Sequence, residues 1–294
     1  MSSIQSGLVR FLLRRSGMFN KPLDEIRRNM ENLKSKGMPE KIAITEQRIN
    51  GVACEVITNS AAKKDQVILY FHGGGFCLGI YPSNREFVAR ISKKTGCNVF
   101  LPDYRLAPEN PFPAALQDAM NIYIGILEQG YEANNIIVMG DSSGCALALS
   151  ALLELKYKNI AMPSAIGCIT PVFDLTGKGT TFQSRAKKDP FQNKNPLGMA
   201  GNYLSKNDSF SYKISPLYGE LYGLPPILIH AADYDVFLDD SLRMKEMYEM
   251  AGEKVTLKVY PKMWHIFHMQ EQVVPEAKQA LDEMCAVLMD GIGK

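Results

Sequence analysis

Six short apolar runs separated by helical stretches predict an α/β protein built on one mainly parallel sheet. The runs at 66–72, 97–102, 135–140, 165–170, 226–232 and 255–260 are rich in β-branched and aromatic residues. Helical patterns at 83–95, 112–129, 143–157 and 238–251 lie between most of them, and a last one follows at 275–289. Strand and helix in alternation imply a parallel sheet covered on both faces. A second observation is Asn50-Gly51 between extended segments 41–48 and 52–58, the strongest short hairpin signal. It adds an antiparallel pair at the front of the fold.

Ahead of the hairpin, Ile4, Leu8, Phe11 and Leu12 fall at helical spacing, with the arginines largely on the other face. This predicts an amphipathic helix packed through that apolar stripe on its own protein. Arg10 interrupts the apolar stretch and Arg14 and Arg15 follow it, the wrong charge order for a secretion signal. Residues 22–36 offer Leu23, Ile26, Met30 and Leu33 with Pro22 at the start and Gly37 beyond the end, predicting a second helix. Further on, more than fifty residues between Thr170 and Pro226 break the alternation, with prolines at 171, 190, 196 and 216. Unstructured loops of that length are uncommon in compact domains, so a helical insertion over one end of the sheet is expected.

Composition excludes several function classes. The chain has 294 residues with 33 basic against 31 acidic, a formal charge of +2 and no long run of one sign, so no nucleic-acid partner is expected. Mean hydropathy is −0.12, and no apolar run approaches the length of a membrane span, so no stable membrane insertion is expected. Cysteines at 54, 77, 97, 145, 168 and 285 form no CxxC pair, which suits free thiols in a reducing cytoplasm.

In such a sheet ligands bind beyond the carboxyl ends of the strands, and three of these loops carry unusual residues. His72-Gly73-Gly74-Gly75-Phe76 follows the 66–71 run. Its glycines let the backbone approach a ligand and turn several N–H groups one way, as an oxyanion requires. His72 reads as a residue that ties the loop. Gly140-Asp141-Ser142-Ser143-Gly144 stands between a strand and a helix, the setting of a nucleophile elbow with Ser142 at its centre. Ser143 would supply a backbone N–H at the helix start, a role Ala could fill equally. A base and an orienting acid are then needed. Of the four histidines, His230 lies within an apolar run and reads as core. His265 and His268 both follow the last strand, and position favours His265 without separating them. Asp233, Asp235, Asp239 and Asp240 follow the preceding strand.

With these motifs together, the chain resembles the hormone-sensitive-lipase-like esterases (bacterial lipolytic family IV) of the α/β-hydrolase superfamily. The resemblance rests on HGGGF (72–76), DYRLAPE (103–109), FPAALQDA (112–119), GDSSG (140–144), ADYD (232–235) and HIFH (265–268), in order over about 65–268. It implies one α/β-hydrolase domain over residues 1–294, with a cap from about 1–40 and 171–225. It implies Ser142, Asp235 and His265 as catalytic triad and Gly74, Gly75 and Ser143 as oxyanion hole, with His72, Gly73 and Asp141 supporting the motifs. Arg105 and Glu109 match structural residues of the family. Val236 replaces the usual proline, Ile266 the usual glycine, and Cys145-Ala146 a Gly-Asn pair. The implied activity is hydrolysis of small or short-chain carboxylic esters without metal or organic cofactor, in a possible homodimer. Amide or formamide hydrolysis is the alternative reaction. A non-catalytic receptor is disfavoured, because plant gibberellin receptors on this fold lack the histidine kept here as His265. Phe182, Phe191, Met199, Tyr203, Phe210 and Tyr212 are expected either in the pocket wall or in the core of the cap.

Overall fold

A computed structural model describes residues 2–33, 37–62, 65–191 and 197–291. The end of the second predicted helix, 34–36, lies outside them. Among the described residues, eight strands form one sheet in the order β1-β2-β4-β3-β5-β6-β7-β8. β1 (Ile42–Ile49) and β2 (Val52–Asn59) form the hairpin, and β2 runs antiparallel to β4 (Asn98–Pro102). The other strands are β3 (Val67–Phe71), β5 (Ile136–Asp141), β6 (Ala165–Ile169), β7 (Ile227–Ala232) and β8 (Val255–Tyr260). From β4 to β8 every pairing is parallel. At the hairpin turn Asn50 has φ 44° and Gly51 φ 83°. Two consecutive left-handed residues match the twist of the flanking strands, which is why Asn-Gly stands there.

Before the hairpin lie α1 (Ile4–Ser16) and α2 (Leu23–Glu31). Helices α3 (Pro82–Thr95), α4 (Ala114–Glu128) and α5 (Ser143–Tyr157) connect the strands. Two short helices, α6 (Thr181–Arg185) and α7 (Ala200–Leu204), lie in the long insertion, and α8 (Leu238–Met250) and α9 (Pro275–Asp290) follow it. The central strands β3, β5, β6 and β7 are buried along their whole length because both faces are covered. Val67, Leu69, Ile136 and Val138 pack with α4, α5 and α8 residues, whereas Ile68, Tyr70, Ile137 and Met139 pack with those of α3 and α9.

Two expectations need correction. Helix α1 forms, but Ile4, Leu8, Phe11 and Leu12 are 55–90% exposed. The opposite face turns inward: Val9 and Leu13 pack against the Trp264–Phe267 cluster. Arg10 lies over the Tyr234 ring and donates to Lys188 O, and Arg14 donates to Lys187 O. Carbonyls and an aromatic face satisfy the guanidiniums, and their stems cover apolar surface, so charge does not force this side outward. The insertion, too, is less helical among its described residues than its length suggests, since α6 and α7 have only five residues each. Side chains hold it instead: buried Asp240 accepts from the Phe173 and Asp174 N–H groups, and Asp174 pairs with Arg243 at 2.7 Å.

Candidate active site

β5 ends at Asp141 and α5 begins at Ser143, leaving Ser142 alone at the corner with φ 52° and ψ −124°. A non-glycine residue held there stores roughly 1–3 kcal/mol of strain, tolerated because the surroundings fix it. The flanking glycines serve close packing. A Cβ on Gly144 would fall 2.0 Å from Phe71 O, and one on Gly140 would fall 2.9 Å from the same oxygen. Helix α5 can therefore cross tightly over the ends of β3 and β5 and push Ser142 outward.

Asp141 links this corner to the glycine loop. Its buried Oδ1 accepts from Tyr70 Oη at 2.8 Å and from Gly73 N at 3.0 Å. Burial pushes its carboxyl up to about 6, although both bonds oppose the shift. Gly73 leaves the room this needs, since a Cβ there would lie 2.3 Å from Asp141 Oδ2. His72 stacks on Tyr104, and its Nδ1 lies 2.8 Å from Gly73 O. Burial lowers it to about 4, so it is a neutral tie for the loop. Gly74 (φ 117°) and Gly75 (φ 61°) turn the chain over Ser142 in left-handed conformations. The Ser143 N–H, at the first position of α5, has no intrahelical acceptor. The Gly75 N–H does have a partner: it donates to Ser143 Oγ at 2.9 Å.

From the far side, the β8–α9 connection delivers His265. Its Nε2 lies 2.8 Å from Ser142 Oγ and its Nδ1 2.9 Å from Asp235 Oδ2. Asp235 follows β7, and its Oδ1 accepts from Phe237 N at 2.9 Å. His265 and Asp235 are both buried. Burial works against the imidazolium, but the Asp235 carboxylate outweighs it, with Asp189 and Asp141 adding to it, so the imidazole is raised above its ordinary value. His268 points elsewhere, its Nε2 3.3 Å from His230 Nδ1, and burial drives it well below the usual range. Of the four carboxylates after β7, Asp235 alone meets His265; Asp233 pairs with Arg185, and Asp239 and Asp240 hold the insertion.

Above Ser142 lies a cavity of about 90 Å³, with the glycine loop, Ser142, Ser143, His265 and Ile266 on its floor. Phe19, Met30, Phe191, Leu197 and Met199 supply apolar wall from the chain's beginning and from the insertion. Of the other insertion aromatics, Phe182 packs edge-on against Phe237, Tyr203 stacks on Phe76, and Phe210 and Tyr212 pair with Tyr218 and Tyr157. Among the described residues, no cluster of three or more metal-binding side chains forms.

The profile of a family described as having the α/β hydrolase fold matches residues 68–269. An esterase from Acinetobacter venetianus is 36% identical over 83% of this chain and 80% of that protein. An acetyl-hydrolase from Streptomyces hygroscopicus is 34% identical over 80% of this chain and 79% of that protein. A crystal structure of an esterase from the bacterial hormone-sensitive lipase family superposes with a TM-score of 0.94 over the full length of both chains, at 33% identity. The chain is a member of the hormone-sensitive-lipase-like esterases of the α/β-hydrolase fold.

This esterase departs from the family pattern at Ile266, which occupies φ 49° and ψ 31°. A β-branched residue is strained there, which accounts for the glycine usual at this step. Its N–H is held by Thr170 Oγ1 at 3.0 Å, and its side chain lines the cavity. Arg105 forms a fork with Asp118, and Glu109 pairs with Arg27. Neither lines the cavity. Thr170 and Asp189 are site residues that sequence reasoning missed. Thr170 directly follows β6, where the other loops also leave the sheet, a position that could have singled it out, whereas nothing marked Asp189. Cys145, left unassigned by its sequence context, is buried beneath the elbow beside Ile169 O. No described helix is long and apolar enough to cross a membrane.

Proposed function

We propose that this esterase cleaves small or short-chain carboxylic esters through an acyl-serine intermediate. The observation that carries the proposal is the continuous chain from Ser142 Oγ to His265 at 2.8 Å and on to Asp235 at 2.9 Å. His265 Nε2 takes the Ser142 proton as Oγ attacks the ester carbonyl carbon, while Asp235 holds the Nδ1–H tautomer and balances the imidazolium. The Gly74 and Ser143 N–H groups receive the oxyanion, and the Gly75 N–H joins them by releasing Ser143 Oγ. Removing one such donor typically costs ~3–4 kcal/mol of transition-state stabilisation. His265 then gives its proton to the departing alcohol, and water repeats the sequence to free the acid. The sheet floor with its wall from about 1–40 and 171–225 is read as a catalytic domain and its cap.

The small apolar cavity supports short acyl groups, and the p-nitrophenyl butyrate soaked into a related crystal, of a protein 32% identical, is an ester with a short acyl chain. Six buried cysteines without disulfides support a cytoplasmic setting, while a homodimer rests on the family resemblance alone. The test is a p-nitrophenyl ester series of increasing acyl length, with wild type and Ser142→Ala. Rates should peak at short chains and fall about 10⁶-fold in the variant. Because His265 must be neutral to accept the proton and is raised, the acid limb of kcat/KM should lie above the ordinary histidine value of 6.5. Hydrolysis unchanged by Ser142→Ala would overturn the mechanism.

A further inference from the structure

We propose that Asp189 is a positioning residue of the active site: a carboxylate carried by the insertion that anchors the Asp235 turn and tunes His265. The inference rests on the mechanism above. Asp189 lies on the 171–225 insertion, far in sequence from Asp235, and is fully buried. Its Oδ2 accepts from the Val236 N–H at 3.3 Å, and its Oδ1 accepts from the Phe191 N–H at 2.9 Å. Asp235 itself accepts from the next N–H, that of Phe237. Two carboxylates thus divide the backbone donors of one short turn, and one of them also fixes Phe191 in the cavity wall.

Accepting two N–H groups does not demand a charge, since Asn or Ser could take at least one at lower desolvation cost. The choice of a carboxylate therefore calls for an electrostatic reason. Among the described residues, no Arg or Lys forms an ion pair with Asp189. Arg185 pairs with Asp233 at 3.0 Å, and Lys188 and Arg10 lie over the Tyr234 ring. What remains is the imidazole of His265, flanked also by Asp235 and Asp141. Burial and then the Asp235 charge push Asp189 up to about 7, while His265 and the two N–H bonds pull it down. Reciprocally, Asp189 favours the imidazolium that His265 becomes as Ser142 attacks. With the insertion unseated, both this charge and the Val236 anchor are lost, so base alignment depends on a closed cavity wall.

Asp189→Asn, with Asp189→Ser as a second variant, should be assayed on p-nitrophenyl acetate beside wild type and Ser142→Ala, with rates normalised to folded protein by circular dichroism. In Asp189→Asn, kcat should fall roughly tenfold with KM little changed, less than the hundredfold that a 1 Å misplacement can cost. Without the Asp189 charge His265 is less basic, so the acid limb of kcat/KM should move to lower pH. A merely structural carboxylate would leave that limb in place. If Asp189→Asn does not fold, Asp189→Ser, which retains a hydroxyl acceptor, is read the same way. A limb and kcat matching wild type, with Ser142→Ala inactive, overturns the role of Asp189 and spares the mechanism. Activity retained by Ser142→Ala overturns the mechanism itself.

Discussion

The floor and the wall of the cavity are built by different means. On the floor, the glycine loop, Ser142 and His265 follow the carboxyl ends of β3, β5 and β8, and the loops there are tied to the sheet within a few residues. Ser142 N donates to Ile169 O, Thr170 N donates to His230 O, and Gly144 touches Phe71 O too closely for any added carbon. In the wall, Phe191, Leu197 and Met199 stand on a segment whose helices have five residues each and which is held by side-chain bonds from Asp174, Asp189 and Asp240. The proposed chemistry thus rests on groups with little freedom to move. The cavity wall rests on a segment outside the sheet, the usual division between scaffold and loop.

The strongest way to break this comparison is Asp235→Asn. The amide would support the wrong tautomer of His265, and kcat should fall roughly 10⁴-fold while thermal stability changes far less. A drop of only a few-fold would mean that the floor does not depend on this acid. A smaller effect is expected in the wall. Phe191→Ala should raise the preference for longer over acetyl p-nitrophenyl esters by about 10–200-fold at most, the range a hydrophobic pocket can discriminate. An unaltered acyl-length profile would show that Phe191 does not bound the acyl site. The smallest change should come from Ser143→Ala, which frees the Gly75 N–H from its 2.9 Å bond. The net worth of such a bond is about 1 kcal/mol, so kcat should shift by less than about tenfold. A hundredfold loss would mean that the Ser143 hydroxyl holds the glycine loop in its working shape.

Much of the floor was legible in the chain because it is built from local signals. Strand–glycine–serine–glycine–helix fits a corner only small residues allow, and HGGG after a strand fits a loop of N–H donors. The residues left His265 and His268 open, and the family pattern chose His265. In three dimensions their rings stand apart, one on Ser142 and the other on His230, because the left-handed turn at Ile266 starts the short helical turn at 267–270. Helix α1 shows the opposite limit. Its period was readable, but which face turns inward was not, since the decision lies with the Tyr234 ring and two lysine carbonyls more than 170 residues away.

By itself, then, the sequence determined the alternation of strands and helices, the Asn50-Gly51 hairpin, the serine corner and the order Ser, Asp, His. Each depends on backbone conformation or period within a few neighbouring residues. Only the tertiary structure decided the inward face of α1, the irregular course of 171–225, the bond between Gly75 and Ser143, and the entry of Asp189 beside Asp235. Those depend on which donors, acceptors and charges meet across long separations, where local propensity carries no information and burial makes every unpaired polar group costly.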